Sequence, residues 1–461
     1  METYTLQREL PVESGYDVLV AGGGPAGSMA AIAAARLGAR VLLVEAMGCL
    51  GGMGTSGLVC AFDPMANGET MLVGGLMREL VETMYERGFM LPGIDPDSWR
   101  RRYHCWSNFQ SEGLKLILDE MAAQAGVEVR FFTRVIDADC AGGVVNGVIT
   151  SGVDGCRCIR AKTYVDATGD AALSVLCGAQ YRQAGRGGEP PPMPATLCAL
   201  FAGVDWSKEH MDSQGEECVR LIEQEYAQGH FSQCDRHFVG LWNNNHTVGY
   251  MNGGHIFDLD ATSTRSLSDG MVFGRKIVRE YEAFLKKYFP NCQNLQLVST
   301  ASLMGVRESR RIVGEYELTY DDYRARRQFP DQIGVFNKYV DIHPADCSRE
   351  AYDEHIREKH NEGRLGPGEC YGIPYGILVP KGYQNLWTAG RCNSCDVKVH
   401  GSIRVMPAAA MMGQAAGTAA VQSIRTGQPA CGLNTRTLVE QLRRDGAYLP
   451  QSELSEEMTR S

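Results

Sequence analysis

The sequence predicts an α/β fold in which a parallel-sheet domain is interrupted by a domain of mixed strands and helices. A strand, a glycine turn, a helix and a second strand follow one another within residues 16–45. Residues 195–385 hold more aromatic residues and histidines, and the first pattern returns at 385–391. We therefore expect a discontinuous first domain at 1–193 and 386–430, an inserted substrate domain at 194–385, and a tail at 431–461.

The first unit has the order of elements that dinucleotide binding requires. Residues 16–21 are a short apolar run typical of a buried parallel strand, and the turn GGGPAG at 22–27 leads into an alanine-rich helix. Gly22 permits the tight turn, Gly24 lets a pyrophosphate approach the backbone, and Gly27 lets helix and strand pack closely. Glu45 ends the second strand, where a carboxylate binds the ribose hydroxyls. The alternative is a purely structural glycine turn.

Further elements follow in order along the chain. The patterns predict helices at 112–126, 263–289 and 407–426, strands at 127–133, 135–139, 144–151 and 158–167, and a Gly- and Pro-rich linker at 185–194.

Composition excludes several classes of protein. The 461 residues include 45 basic and 55 acidic side chains, and the net charge of −10 disfavours nucleic acid or an anionic membrane as a partner. No uncharged apolar stretch is long enough to span a bilayer. The 16 cysteines are scattered through apolar segments, which indicates free thiols and a cytoplasmic protein. The expected partners are a small-molecule substrate and an electron donor or acceptor of unknown identity, while homo-oligomer formation stays open.

Other backbone-rich segments favour an extended cofactor, FAD, over NAD. The glycine cluster at 48–55 follows Glu45 directly, and the turns ATGD at 167–170 and TAGR at 388–391 offer further contacts. A helix that begins near Pro407 directs its positive end to where a flavin O2 would lie. The predicted cofactor contacts are Gly22, Gly24, Pro25, Ala26, Gly27, Glu45, Ala46, Gly51, Gly52, Met53, Gly54, Thr55, Val135, Ala167, Thr168, Gly169, Arg391, Gly413, Gln414 and Ala415.

These motifs resemble the FAD-dependent oxidoreductases of the glutathione-reductase-type fold. GVRESRRIVGEY at 305–316, YGIPYGILVP at 371–380 and the run at 389–420 are similar to a large bacterial group of that family. HGSIRVMPA at 400–408 more distantly resembles a segment of fumarate reductase and succinate dehydrogenase flavoproteins, which implies that Arg404 grips a substrate carboxylate. The glycines after it differ, and the histidine motif that links flavin covalently is missing, so we expect non-covalent FAD.

The candidates for catalysis are three arginines and two histidines. Arg307 and Arg311 either face the flavin and bind a substrate oxygen or form an ion-pair cluster with Glu308 and Glu315. His400 and Arg404 share a helix face if their segment is helical, and His400 is then an acid–base candidate, the alternative being a structural histidine. His343, in Asp341-Ile-His343, is a weaker candidate.

The sequence thus predicts hydride transfer between flavin N5 and a small polar, oxygen-bearing substrate, by alcohol oxidation or double-bond reduction. The first alternative is a disulfide or electron-transfer flavoprotein that uses Cys392 and Cys395, a CxxC pair. The second is a flavin-binding protein with a structural or nucleic-acid-modifying role, which the acidic charge disfavours. No metal site is predicted, because the spacings typical of zinc and iron–sulfur ligands do not occur.

Overall fold

The structure is a computed structural model that describes residues 2–91, 95–101, 106–361 and 364–450. The strands, in chain order, are β1 (Val12–Ala21), β2 (Val41–Val44), β3 (Ala61–Phe62), β4 (Ser107–Asn108), β5 (Glu128–Arg130), β6 (Arg134–Ala141), β7 (Val144–Gly152), β8 (Gly155–Asp166), β9 (Tyr181–Gln183), β10 (Ala195–Thr196), β11 (Ala199–Ala202), β12 (Leu241–Asn245), β13 (Val248–Met251), β14 (His255–Ile256), β15 (Gln296–Thr300), β16 (Arg310–Ile312), β17 (Gln332–Phe336), β18 (Tyr371–Pro374) and β19 (Leu386–Thr388). The helices are α1 (Pro25–Arg36), α2 (Gly75–Glu86), α3 (Pro96–Arg101), α4 (Ser111–Ala125), α5 (Ala172–Leu176), α6 (Glu216–Ala227), α7 (Thr264–Tyr288), α8 (Tyr320–Arg324), α9 (Arg349–Asn361), α10 (Val397–Ile403), α11 (Met406–Thr426) and α12 (Thr435–Arg444).

A mixed central sheet organises the first part of the fold. Its strand order is β5-β2-β1-β8-β7-β6, and β19 also pairs with β8. β5, β2, β1, β8 and β19 run parallel, whereas β7 is antiparallel to both of its neighbours. The predicted α/β class is confirmed.

Helices α1 and α11 pack against each other at very short range. A Cβ added to Gly413 would meet the Ala26 carbonyl oxygen at 1.9 Å, and one added to Gly417 would meet that of Ala30 at 2.1 Å. Glycine is required at both positions because the two backbones approach so closely. The contact joins the first helix of the chain to one that begins at residue 406.

The hydrophobic cores do not divide at the predicted domain boundaries. An antiparallel sheet, β12-β13-β11-β15, has a core of its own with α6 and α7, within residues 199–295. Residues 318–379, predicted as part of the substrate domain, instead contribute Leu318, Ile333 and Tyr371 to the largest core, which also contains Val18 and Met29. The separately packed part of the predicted substrate domain is therefore shorter than 194–385.

Most predicted elements occur with small shifts at their ends. The predicted helices correspond to α4, α7 and α11, and Gly126 and Gly427 end α4 and α11 in the left-handed conformation. The strand predicted at 127–133 is limited to Glu128–Arg130. Phe132 has a φ of 53°, and this left-handed conformation does not continue a strand.

Candidate functional site: a dinucleotide cradle beside a buried polar cluster

The carboxyl ends of four parallel strands meet at one edge of the central sheet. Gly22 follows β1, Glu45 follows β2, Ala167 follows β8 and Ala389 follows β19. Ligands of open α/β sheets bind at this edge. The four segments, together with the glycine run at 51–55 and the start of α11, are called the cradle below.

The glycines of the first turn meet three different demands. Gly22 has a φ of 93°, and an added Cβ there would meet the Ala167 carbonyl oxygen at 2.6 Å. An added Cβ on Gly27 would meet the Gly22 carbonyl oxygen at 1.7 Å. A Cβ added to Gly24 would meet no atom within 4 Å, so the space beside this residue is open. That opening lies at the start of α1, where backbone N–H groups and the helix dipole favour a phosphate.

Glu45 is held at the sheet edge by backbone amides. Its Oε2 accepts a 2.6 Å hydrogen bond from the Gly23 N–H, and its Oε1 accepts a 2.7 Å bond from the Met47 N–H. The carboxylate therefore lies next to the glycine turn, as a ribose-binding acid must. Ala46 follows it, and Thr133, two residues before Val135, donates its N–H to the Glu45 carbonyl oxygen at 2.9 Å.

The second glycine run connects the phosphate turn to α11. The Gly51 N–H donates to the Gly23 carbonyl oxygen at 2.8 Å, and an added Cβ on Gly52 would meet the Gly24 Cα at 3.0 Å. A Cβ on Gly54 would meet the Met406 Sδ at 3.0 Å. Residues 52–54 form a 3-10 turn, so Met53 and Thr55 lie on a backbone path from the pyrophosphate position to the start of α11.

The ATGD turn is fixed by one buried carboxylate, Asp166, and one partly exposed carboxylate, Asp170. Asp166 accepts from the Thr168 N–H at 3.1 Å and from the Ser174 N–H at 2.7 Å. Asp170 accepts from Arg391 at 2.7 Å, and the Arg391 Nη2 would lie 2.8 Å from a Cβ on Gly169. Arg391 thus crosses over Gly169 and ties the turn after β19 to the turn after β8.

Three predicted cofactor contacts in α11 have packing roles in the structure. Gly413 lies against α1, and Ala415 is fully buried in the helix. The Gln414 Oε1 accepts a 2.9 Å hydrogen bond from the Leu76 N–H at the start of α2. The N–H groups this far inside a helix bond within it, so these contacts are not made through the backbone donors, and they stay predictions. The open donors of α11 are those of its first turn, after Val405.

Arg404 lies two residues before α11 and is paired with Asp341. Its Nη2 is 3.0 Å from both the Asp341 Oδ2 and the Asp341 carbonyl oxygen. Its buried Nε has no acceptor among the residues that the structure describes. Burial would raise the pKa of Asp341, but Lys338, His343 and Arg404 hold it well below its usual range. Arg404 is therefore fixed, charged and left with a free donor.

Arg307 and Arg311 differ in the groups that they contact. Arg307 donates to the Pro194 carbonyl oxygen at 2.6 Å, and burial with the nearby Arg404 charge lowers its pKa to about 10. Arg311 pairs with Glu189, contacts Glu308 at 3.5 Å and bonds the Cys395 carbonyl oxygen. These contacts match the ion-pair alternative for Arg311, although its buried Nε has no hydrogen-bond acceptor among the described residues, and its catalytic role stays a prediction.

The surroundings of His400 match the structural alternative, and its acid–base role stays a prediction. It is fully buried, with Nε2 3.2 Å from the Arg307 carbonyl oxygen and Nδ1 3.9 Å from the Cys395 Sγ. Burial, Arg311 and Arg404 hold its pKa well below the usual histidine value. Its helical segment, α10, does place it one turn before Arg404, whose N–H bonds the His400 carbonyl oxygen at 3.1 Å.

His343 joins a group that the sequence does not bring together. Its Nδ1 lies 2.8 Å from the His255 Nε2, and its Nε2 lies 3.7 Å from Asp341. The His255 Nδ1 is 3.1 Å from Asp235, and the His237 ring stacks on that of His255, with centroids 5.3 Å apart. Burial and Arg307 hold the pKa of His343 well below its usual range. The repeated Asp-x-His pattern, at 235–237 and 341–343, is the one sequence signal for this group.

Two further buried side chains were missed by sequence reasoning. Lys338 forms a buried ion pair with Asp63, and no local pattern links residues so distant in the chain. Asn337 is fully buried, and neither of its amide atoms has a partner among the described residues. It follows β17, where an added Cβ on Gly334 would lie 3.3 Å from the Met411 Sδ of α11. Unsatisfied buried amides are rare, so Asn337 fits a contact to a bound group.

Cys392 and Cys395 are separate, buried thiols. The Cys392 Sγ lies 3.8 Å from the Asp166 carbonyl oxygen, and Cys395 faces His400. Burial raises the pKa of both thiols, which keeps them protonated and poorly nucleophilic. These surroundings give the dithiol alternative no support.

The cradle and the charged groups beside the start of α11 define a flavin-dependent oxidoreductase. The family described as FAD dependent oxidoreductase matches residues 17–442, and this chain belongs to it, with FAD as cofactor. The open space at Gly24, the anchored Glu45 and the unsatisfied Asn337 fit a bound dinucleotide.

Three relatives illustrate the range of similarity. The "Uncharacterized protein in nifH2 5'region" of Methanosarcina barkeri is 36% identical over 173 residues, covering 35% of this chain and 86% of that protein. Digeranylgeranylglycerophospholipid reductase 2 of Methanopyrus kandleri is 31% identical over 200 residues, covering 41% of this chain and 46% of that one. The structure of a geranylgeranyl bacteriochlorophyll reductase-like protein from Thermoplasma acidophilum matches 94% of this chain and 84% of its own, with a TM-score of 0.47 and 14% identity.

No helix among the described residues is both long enough and apolar enough to cross a membrane.

Proposed function

We propose that this chain oxidises or reduces a small polar substrate by hydride transfer between flavin N5 and a substrate carbon that bears, or is conjugated to, an oxygen. FAD supplies the hydride chemistry when it is bound. The observation that carries the proposal is the buried Nε of Arg404, which has no acceptor among the described residues. A substrate oxygen is the acceptor that this donor would bind.

The charges around Arg404 favour an oxygen that carries or develops negative charge. The guanidinium group of Arg404 is close enough to Arg307 to disfavour the positive charge on Arg307. Asp341 balances part of this charge, because it accepts from Arg404 on one side and faces His343 on the other. Hydride transfer creates or removes negative charge on a substrate oxygen, and a fixed guanidinium stabilises that charge without reorganising.

The fold also keeps Arg404 in place. Asp396 caps α10 by accepting from the Val399 N–H at 2.8 Å, and an added Cβ on Gly401 would meet the Asp341 N at 3.1 Å. α10 therefore packs directly on the segment that carries Asp341. A donor held by rigid backbone retains its orientation when the substrate arrives, which is what positional catalysis needs.

An apolar substrate is the competing possibility, because one relative is named as a digeranylgeranylglycerophospholipid reductase. Its match covers 41% of this chain. Arg307 and Lys338 are buried, and Arg404 and Asp341 are partly buried. These four charged groups favour a polar ligand, since an isoprenoid chain would leave them without compensation.

The test is anaerobic bleaching of the bound flavin with panels of alcohols, sugars and hydroxy acids, followed by reoxidation with unsaturated acids. We expect a small polar compound to bleach or reoxidise the flavin, and Arg404→Ala to lose that response while retaining FAD. Reduction or oxidation by isoprenoid lipids alone would contradict the proposed substrate class.

A further inference from the structure

Three buried histidines that are distant in the sequence lie close together in the structure. His237 lies between α6 and β12, His255 begins β14, and His343 follows β17. Each is less than one-tenth exposed, and one ring nitrogen from each lies within 4.8 Å of the others. These three residues are called the histidine cluster. The sequence predicts no metal site, because ligands this far apart in the chain follow no spacing rule.

The carboxylates outside the cluster fix which ring nitrogens carry protons. Asp235 faces the His255 Nδ1 at 3.1 Å, and Asp341 faces the His343 Nε2 at 3.7 Å. A carboxylate only accepts, so an N–H on the His255 Nδ1 satisfies the 3.1 Å contact, and an N–H on the His343 Nε2 is the form that the Asp341 charge favours. The inner nitrogens, the His255 Nε2 and the His343 Nδ1, then face each other with lone pairs at 2.8 Å. Two lone pairs at that distance repel unless a proton or a metal ion lies between them.

A metal ion removes this conflict, and the surroundings match those of known metal sites. Metal-bound histidines usually donate their other ring N–H to a carboxylate. His255 has Asp235 at hydrogen-bond distance, 3.1 Å from its outer nitrogen, and His343 has Asp341 facing its outer nitrogen at 3.7 Å. Zinc–nitrogen bonds of about 2.0–2.1 Å place tetrahedral ligand nitrogens roughly 3.3 Å apart. The present inner separation of 2.8 Å, within a group spanning 4.8 Å, reaches that geometry by small side-chain movements.

We propose that His237, His255 and His343 bind one divalent first-row transition-metal ion, with Asp235 and Asp341 orienting the ligands. A set of three imidazoles without thiolate suits zinc, iron, copper or nickel rather than calcium or magnesium. A three-histidine set leaves a fourth position for water or a substrate atom.

The proposed ion is coupled to the substrate region through a single side chain. Asp341 faces His343 with Oδ1 and accepts from Arg404 with Oδ2 at 3.0 Å. Metal binding therefore holds Asp341, and Asp341 in turn holds the guanidinium proposed to bind substrate. The metal site itself does not depend on which substrate is correct.

The experiment titrates metal-depleted, FAD-loaded protein with Co²⁺ and follows difference absorption in the visible range, with Zn²⁺ as competitor. We expect one Co²⁺ per chain, displaced by Zn²⁺. His237→Asn and His343→Asn should weaken Co²⁺ binding at least 100-fold, and Asp235→Asn by about 10–100-fold, as for removal of a ligand-orienting carboxylate. Elemental analysis of the protein as purified identifies the native metal.

The matched control is His230→Asn. His230 also pairs with a carboxylate, Glu225, at 2.9 Å, but its side chain is 58% exposed and lies outside the cluster. This variant should bind Co²⁺ like the wild type. Wild-type protein that binds no stoichiometric Co²⁺, or cluster variants with unchanged affinity, would overturn the proposal and leave a proton shared between His255 and His343. The wild-type titration decides the question even if a cluster variant does not fold, and it uses no substrate.

Discussion

The cradle and the group of charged and polar side chains around Arg404, the polar cluster, are built in opposite ways. The cradle consists mainly of backbone: glycines, a helix start and one carboxylate held by the Gly23 and Met47 amides. The polar cluster consists of side chains from five separate segments, near 235, 255, 307, 341 and 404. A site made of backbone is sensitive to added atoms, whereas a site made of side chains is sensitive to lost charge.

Gly27→Ala should give the largest effect, because it tests the backbone site at its tightest point. The new Cβ would lie 1.7 Å from the Gly22 carbonyl oxygen, and neither the turn nor α1 has a flexible side chain there to yield. We expect destabilisation by more than about 2 kcal/mol, at the upper part of the range for overpacking. Thermal unfolding and soluble yield measure it.

Gly24→Ala is the matched control for that variant. Its φ is −64°, and its Cβ would meet no atom within 4 Å, so the apoprotein should unfold at the wild-type temperature. The methyl group fills the space where a pyrophosphate approaches. We expect this crowding to cost about 1–3 kcal/mol of binding free energy, so FAD should bind roughly 10–100-fold more weakly. Equal stability of the Gly24 and Gly27 variants would contradict this account of the turn.

Arg404→Ala tests the side-chain site. Loss of one fixed donor to a developing charge lowers turnover by about 10²–10³-fold. We expect that loss in stopped-flow flavin reduction by the substrate found in the anaerobic panel, with FAD content unchanged. Arg311→Lys, in the internal ion-pair cluster, is the comparison variant and should affect stability more than rate. Wild-type turnover by Arg404→Ala would show that the substrate oxygen binds elsewhere.

Cys392→Ser with Cys395→Ser should give the smallest effect. Both thiols are buried, their pKa values are raised by burial, and their sulfur atoms face different partners. Flavin reduction by substrate should stay within about twofold of wild type, because protonated thiols do not act as nucleophiles. A variant that retains FAD and stability but no longer turns over would restore the dithiol mechanism.

The same contrast explains how much the sequence could predict. Gly22, Gly24, Gly27 and Glu45 act within one βαβ unit, so their spacing is enough to identify them. The roles of Arg311 and Arg404 cannot be separated in that way, because each depends on a partner, Glu189 or Asp341, from another segment. Likewise, no local spacing predicts the hydrogen bond that Gln414 accepts at the start of α2.

The tight contact between α1 and α11 also has a consequence for biosynthesis. The cradle needs β19 and α11, which leave the ribosome long after β1 and α1. At about 5–20 residues per second, the delay is on the order of tens of seconds. The antiparallel sheet between them, with its own core, can fold co-translationally in that interval. The surface of α1 that packs on α11 must meanwhile stay without that partner, so the nascent chain exposes apolar surface that the finished enzyme buries.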